Sequence, residues 1–317
     1  MWFKNIYCYR FTKPFDLSAE VLAEKLEALP SNPCGNQQEF SSGWVPPLGS
    51  RYSEYVHAAG GYMMVCLKRQ DRLLPAAVVN EIVGERVEQI ELNEMRKVGR
   101  KEKEQIKDET IFTLMPKAFV RSSKLFAYID VASGMIVVNA SSASRAEAML
   151  DALREALGSL PVIPLRPKGQ PAQLMTEWLL AGKPPENFEF GHECELRDTS
   201  DKGGVVRCKN QDLYADEINN HLQAGMAVTK LGLHWHGGIS CVVDDQMAIK
   251  RLGFDDGIRE QADQVDTEDA AAQFDVDFTI MTLEMSRFLE ALLPIFGGED
   301  RPAPAPALAD APLAEPA

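Results

Sequence analysis

Arg96, Lys97, Arg100, Lys101, Lys103 and Lys107 place six positive charges within twelve residues, against Glu102 and Glu104, for a local net of +4. Lys117, Arg121 and Lys124 extend the run past Pro116, with Phe119 set among them. Ammonium and guanidinium groups at this density suit one chemistry above others: charge-assisted pairing with the phosphates of a polyanion. On a helix, Arg96, Arg100, Lys103 and Lys107 recur at spacings of four, three and four, which aligns them as one stripe, with Lys97 and Lys101 on the neighbouring one. Further cations stand in strand-like context. Arg207 and Lys209 alternate onto one face, Lys230 precedes Leu231, and Lys250-Arg251 lies on another strand. Gln211 adds an amide able to hydrogen-bond a phosphate or sugar. The competing reading of such a run is a solvated helix face.

Catalysis has much less to work with. The chain contains no GxxxxGK[ST], no GxGxxG after a strand, no HExxH and no GxSxG. His234 and His236 share one side of a strand, as a metal site would want, but spacing offers no third ligand. Asp244-Asp245 and Asp255-Asp256 could hold the Mg²⁺ of a nuclease. Each pair follows an apolar strand and precedes polar residues, so they read better as turn acids. The expectation is a binding protein without catalytic residues, metal or cofactor. Two alternatives stay open: a metal-dependent nuclease using those aspartates, and a protein-interaction scaffold whose charged arm meets a partner.

The elements that must position these groups follow from periodicity. Trp2 to Phe11 reads as a strand. Asp16 or Ser18 then caps a helix with Leu17, Val21, Leu22, Leu26 and Leu29 at helical spacing, stopped by Pro30. A Gly/Pro-punctuated loop holds Trp44, and Tyr62–Leu67 is a short buried strand. Pro75 opens a long helix reaching toward Leu114. Its apolar stripe thins beyond Leu92 and Gly99 is its weak point, so it is expected to project or pack loosely. Lys124–Val131 and Met135–Ala140 form a hairpin over Ser133-Gly134, and Ser142 or Ser144 caps a helix to Leu157. AEVLAEKLEALP and AEAMLDALREALGSLP echo each other, through two related β-α-β halves or through chance likeness of amphipathic helices. From His192 strands dominate, interrupted by a helix at 215–223 and closed by a helix over about 270–296.

The fold class predicted is α+β: several mostly antiparallel sheets with packed helices and a charged helical arm. The expected domains are a central α+β lobe or lobes (1–74 with 115–165), a projecting arm (75–114), a C-terminal α+β lobe (166–298) and a disordered Pro/Ala-rich tail (299–317).

Charge adds a constraint. The 317 residues are 45% hydrophobic and carry −14 overall. Residues 1–191 balance 23 basic against 23 acidic side chains, whereas 192–300 hold 9 against 22. A polyanion would be repelled by that field unless the cations are gathered on one surface. Six dispersed cysteines without a CxxC pair, no signal-like start and no apolar run near roughly 18 residues predict reduced thiols in a soluble cytoplasmic protein without a membrane partner.

MWFKN at the start, PCG (33–35), GWVPPLG (43–49), LMPKAF (114–119) and LGSLPV (157–162) resemble the RdgC family. So do TEWL (176–179), GGVVRCKNQDL (203–213), VTKLGLHW (228–235), KRLGF (250–254) and FDVDFTIMT (274–282). The resemblance spans about residues 1–298. It implies a bacterial, nucleoid-associated recombination protein that binds duplex DNA with little sequence preference, single strands more weakly, and limits the RecA recombinase. It also implies a ring-forming homodimer whose central hole holds duplex, with acidic residues outward and basic ones inward. Phe119 is then the candidate dimer contact that gates the ring, against the plainer reading of a core aromatic at the helix end; the final helix could supply the second contact. Asn210 stands where relatives are often doubly basic and Met226 where a lysine is common, which implies weaker or more salt-sensitive binding.

Overall fold

The computed structural model describes residues 1–198, 200, 203–263 and 269–301. The Pro/Ala-rich tail expected to be disordered falls outside them from residue 302. In chain order the elements begin β1 (Ile6–Phe11), α1 (Ala19–Glu27), β2 (Phe40–Val45), β3 (Val56–Ala59) and β4 (Tyr62–Leu73). Then come α2 (Ala76–Glu94), α3 (Arg100–Leu114), β5 (Phe119–Asp130), β6 (Met135–Asn139), α4 (Ala143–Leu157), β7 (Val162–Pro164) and α5 (Pro171–Ala181). The rest are β8 (Phe188–Arg197), β9 (Val205–Lys209), α6 (Asp216–Gln223), β10 (Ala227–Trp235), β11 (Ile239–Asp244), β12 (Ile249–Phe254), α7 (Asp256–Asp263) and α8 (Ala270–Ile295). The class is α+β with antiparallel strand pairing. No described helix is long and apolar enough to cross a membrane.

Two compact units form. The first takes 1–15, 133–136 and the chain from 161; the second takes 16–132 and 137–160.

In the first unit the strand order is β1-β12-β11-β10-β8-β9, with β7 on β1. Register dictates its two faces, because residues directly opposite across an antiparallel pair point the same way. One rung runs Cys208, Cys194, Leu231, Val243, Ile249, Ile6 across six strands. All but Cys208 are buried. Helix α8 supplies a matching apolar face, with Phe278, Met281, Met285, Phe288, Leu289 and Leu292 buried at three- and four-residue spacing. Trp235 and Phe288 stack with centroids 6.0 Å apart. Arg10, itself buried, forks onto both oxygens of Glu299 at 2.6 and 2.7 Å and ties the end of the described chain to β1.

In the second unit the order is β2-β4-β5-β6, and β4 serves two partners along one edge. Residues 62–65 pair with β3 and 66–71 with β2. Ser18 and Ser142 cap α1 and α4 in the same way, each accepting the N–H three residues on. The segment containing Trp44, read from sequence as a loop, is strand β2: Gly43 and Trp44 pair with Lys68 and Leu67, and Trp44 is wholly enclosed. Gly43 is there because nothing larger fits. A Cβ would sit 2.4 Å from the Pro30 carbonyl oxygen and 2.6 Å from Ser31 Cα. Gly43→Ala should therefore cost about 1–3 kcal/mol through overpacking, seen as a lowered melting temperature; an unchanged melt would mean the Pro30–Ser31 segment is free to yield.

The expected single helix toward Leu114 is two helices packed on each other. Met95 adopts φ 52°, ending α2, and Gly99 begins α3. The thinning apolar stripe is the reason: α2 cannot bury its last turns alone, so the chain folds back and closes Val79, Val83 and Ile106 between the helices, with Val87, Ile90 and Val98 around them.

Candidate nucleic-acid interface

The reversal between α2 and α3 is built from the charges that sequence assigns to a stripe. Arg96 lies in the connection, off α3, and so leaves the Arg100–Lys103–Lys107 stripe. Its guanidinium reaches Glu94 and both oxygens of Glu102 at 2.6 Å. Glu91 accepts the Val98 N–H at 3.0 Å and the Lys97 ammonium at 3.3 Å. The Val98 amide and Lys97 hold the Glu91 carboxyl below its usual range, and Arg96 does the same for Glu102. Arg96 and Lys97 therefore brace the turn first. Arg100 pairs with Glu104 one turn along at 3.2 Å, whereas Lys101, Lys103 and Lys107 make no ion pair among the described residues.

In the same unit Lys117, in the turn before β5, and Arg121 and Lys124, on β5, also make no ion pair among the described residues. Lys124 stands directly opposite Lys68 across β4–β5. Like charges so placed repel, and among the described residues neither has an acidic partner. Lys68 escaped the sequence reading because it follows the apolar run YMMVCL. The signal available was the cation at the strand's polar end. Phe119 opens β5 opposite Leu73 and is 84% exposed. Exposed Val120, Leu73 and Phe112 belong to the same unit. Phe119 is not a core aromatic.

The first unit carries the most organised charge. On the sheet face opposite the apolar rung, a second rung runs Arg207, Glu195, Lys230, Asp244, again set by register. Lys250 closes onto Asp244 at 3.0 Å. Signs alternate from strand to strand, beginning and ending on a cation. Glu195, only 4% exposed, is the hub: Arg207 and Lys230 each reach it at 2.8 Å and Arg197 at 3.7 Å. Burial raises its affinity for a proton, but hydrogen bonds from Arg207, Lys230 and Thr229 outweigh that and hold its pKa at about 2. Burial lowers and the Asp244 bond raises the Lys250 pKa, with a net upward shift, so it stays charged. A parallel set joins Lys209, opposite Glu193, to Arg251, whose guanidinium also bonds Glu193. Cations Arg197, Arg207, Lys209, Lys230, Lys250 and Arg251 thus outnumber Glu193, Glu195 and Asp244, leaving +3 inside a stretch that is −13 overall. Among the described residues Lys209 alone of them makes no ion pair. Arg197, two residues beyond Glu195, was the cation missed here.

Gln211 follows β9, its backbone N–H donated to the His192 carbonyl at 3.1 Å. Asn210 adopts φ 52°, a left-handed conformation that asparagine accepts more readily than lysine. His234 lies 3.7 Å from Asp255 and His236 3.3 Å from Glu189. Among the described residues no group of three His, Cys, Asp or Glu side chains could hold a metal.

A depressed Glu195 pKa stabilises the fold above the ordinary carboxylate value of 4.5, and that contribution disappears as pH falls through about 2. Glu195→Gln should flatten the acid limb of the stability curve over this window by about 1–2 kcal/mol, discounted for its half-exposed partners. Acid titrations of both proteins read this directly; superimposable limbs would remove Glu195 as the hub.

A family model described as "Putative exonuclease, RdgC" matches residues 1–299. The chain is 45% identical over 301 residues to the recombination-associated protein RdgC of Aeromonas hydrophila subsp. hydrophila, covering 95% of this chain and 99% of that one. It is 44% identical to the RdgC proteins of Psychromonas ingrahamii over 299 residues and Pseudomonas putida (strain GB-1) over 303, which cover 94% and 95% of this chain and 99% of each relative. With the family pattern and these relatives running almost end to end along it, the chain belongs to the RdgC family.

Proposed function

We propose that this protein is a non-enzymatic, sequence-independent binder of duplex DNA that acts as a ring-shaped homodimer, associates with the nucleoid of the cytoplasm and limits RecA-dependent recombination. The observation that carries the reading is the charged face of β8–β12, a net positive ladder held together in an acidic part of the chain. Ladder cations at fixed spacing suit phosphates and read no base. The unneutralised Lys68–Lys124 pair and the free ammoniums of α3 supply further contacts of the same kind. The relatives' name supports a place in recombination. Family resemblance alone supports the ring and the antagonism of RecA, and exposed Phe119 is the residue on this chain suited to closing it.

A second reading is favoured by the description of the family model, which names an exonuclease. The acids best placed for it have other work. Asp244 accepts the N–H groups of Gln246 and Ala248 at 3.1 and 2.8 Å and the Lys250 ammonium, as an acid shaping the β11–β12 turn does. Gel shifts of two unrelated linear duplexes with Mg²⁺, followed by denaturing gels of the recovered strands, separate the readings. Shifted, full-length strands are expected. Shortening that needs Mg²⁺ and is lost in Asp244→Ala or Asp255→Ala would establish the nuclease. No shift at physiological salt would leave a protein-interaction scaffold.

A further inference from the structure

Five of the six cysteines are buried within the two units, and one pair is set apart by its placement. Cys194 on β8 and Cys208 on β9 are directly opposite each other. Opposed residues of an antiparallel pair lie about 4.5–5.5 Å apart at Cα, inside the roughly 4.4–6.8 Å that a disulfide spans. Both side chains project to the face opposite the charged rung, and both cysteines are free, side by side across the strand pair. Cys194 is enclosed, while Cys208, on the edge strand, is partly open to solvent.

We propose that Cys194 and Cys208 are a redox pair that a small-molecule disulfide converts to a cross-strand disulfide, pinning edge strand β9 to β8. Cys208, the accessible thiol, loses its proton to solvent and attacks one sulfur of the reagent, expelling one thiolate and forming a mixed disulfide. Cys194 then gives up its proton and attacks the Cys208 sulfur, expelling the second thiolate. Two protein thiols lose two electrons and two protons; the reagent gains both as two thiols. The order of attack follows from access. Burial, together with the neighbouring Cys208, pushes the Cys194 thiol up to about 12, so it resolves the mixed disulfide rather than starting the exchange.

The consequence is mechanical. Strand β9 is held by β8 alone, and it carries Arg207 and Lys209 on the rungs either side of Cys208. A bond through Cys208 fixes those two cations in register and converts the oxidation state into order of the edge strand.

The full-length chain is incubated with oxidised glutathione, quenched with an alkylating agent and mapped by mass spectrometry, alongside Cys194→Ser and Cys208→Ser. The expected product joins the Cys194 and Cys208 peptides, lighter by two hydrogens than the two thiols. Cys194→Ser should stop at a glutathione adduct on Cys208, and Cys208→Ser should leave Cys194 unmodified. In the oxidised wild type, amide exchange across 205–209 should slow by about tenfold. A stable glutathione adduct on wild-type Cys208, or two unmodified thiols, would overturn the pair. Linkage with unchanged exchange at 205–209 would overturn the claim that it orders β9.

Discussion

If the proposed homodimer forms through Phe119, Phe119→Ala is expected to weaken it by at least about 30-fold while leaving the subunit folded, the cost of a central aromatic hot spot being roughly 2 kcal/mol or more. The argument runs from position. Phe119 begins β5 immediately after the tight turn at Met115–Lys117, paired with Leu73 at the far end of β4. Its ring has no core to join, at 84% exposed, and Leu73, Val120 and Phe112 of the same unit leave apolar surface uncovered as well. Removing a side chain that packs on nothing in its own subunit costs the fold little, within about 0.5 kcal/mol. Any larger effect must therefore come from a partner. Sedimentation across a concentration series with parallel melts reads both quantities. A dimer constant unchanged within about threefold, or a fall in melting temperature that accounts for the whole effect, would remove Phe119 from the contact.

Lys209→Glu should weaken binding to every duplex by on the order of tenfold or more and lower the salt slope by about 1 per subunit. Among the described residues Lys209 is the one cation of the charged face without an ion pair, so its charge is available to a phosphate. Arg207 and Lys230 must instead share themselves with Glu195. Reversal at Lys209 also places a second carboxylate opposite Glu193, where Arg251 already supplies the ion pair. Arg96→Ala should behave differently: its guanidinium is committed to Glu94 and Glu102, so its loss loosens the α2–α3 turn more than it weakens DNA binding. Anisotropy titrations of two unrelated duplexes separate these cases. A sequence-dependent loss at Lys209 would mean that it reads bases.

The parts of this fold that were legible are those where local chemistry and tertiary packing agree. Ser18 and Ser142 cap their helices, the 3.6-residue spacing of α8 describes the face it buries, and Ser133-Gly134 turns β5 into β6. Strand β2 was not legible because its glycine and flanking prolines read as punctuation, whereas its existence depends on β4, some 25 residues away. The break at Met95–Gly99 was half legible: the fading apolar stripe and Gly99 marked the place, but only the paired helices reveal that it is a reversal.

For the interface, residue type was readable and ion pairing was not. The sequence offered Arg207, Lys209, Lys230, Lys250 and Arg251 as separate charges. Register across β9, β8, β10 and β11 aligns Arg207, Glu195, Lys230 and Asp244 on one rung and sets Lys209 opposite Glu193, while Lys250 and Arg251 join through ion pairs to Asp244 and Glu193. A basic helix stripe, by contrast, overcounted: Arg96 belongs to a turn, and Arg100 is paired.

Fluorescence anisotropy of two unrelated labelled duplexes, titrated with the full chain across a salt series without divalent metal, tests the central claim most directly. The account predicts sub-micromolar binding at low salt, equal for both sequences, with a steep linear fall of log affinity against log salt. No binding at low salt, or binding that differs between the two sequences and barely responds to salt, would contradict it.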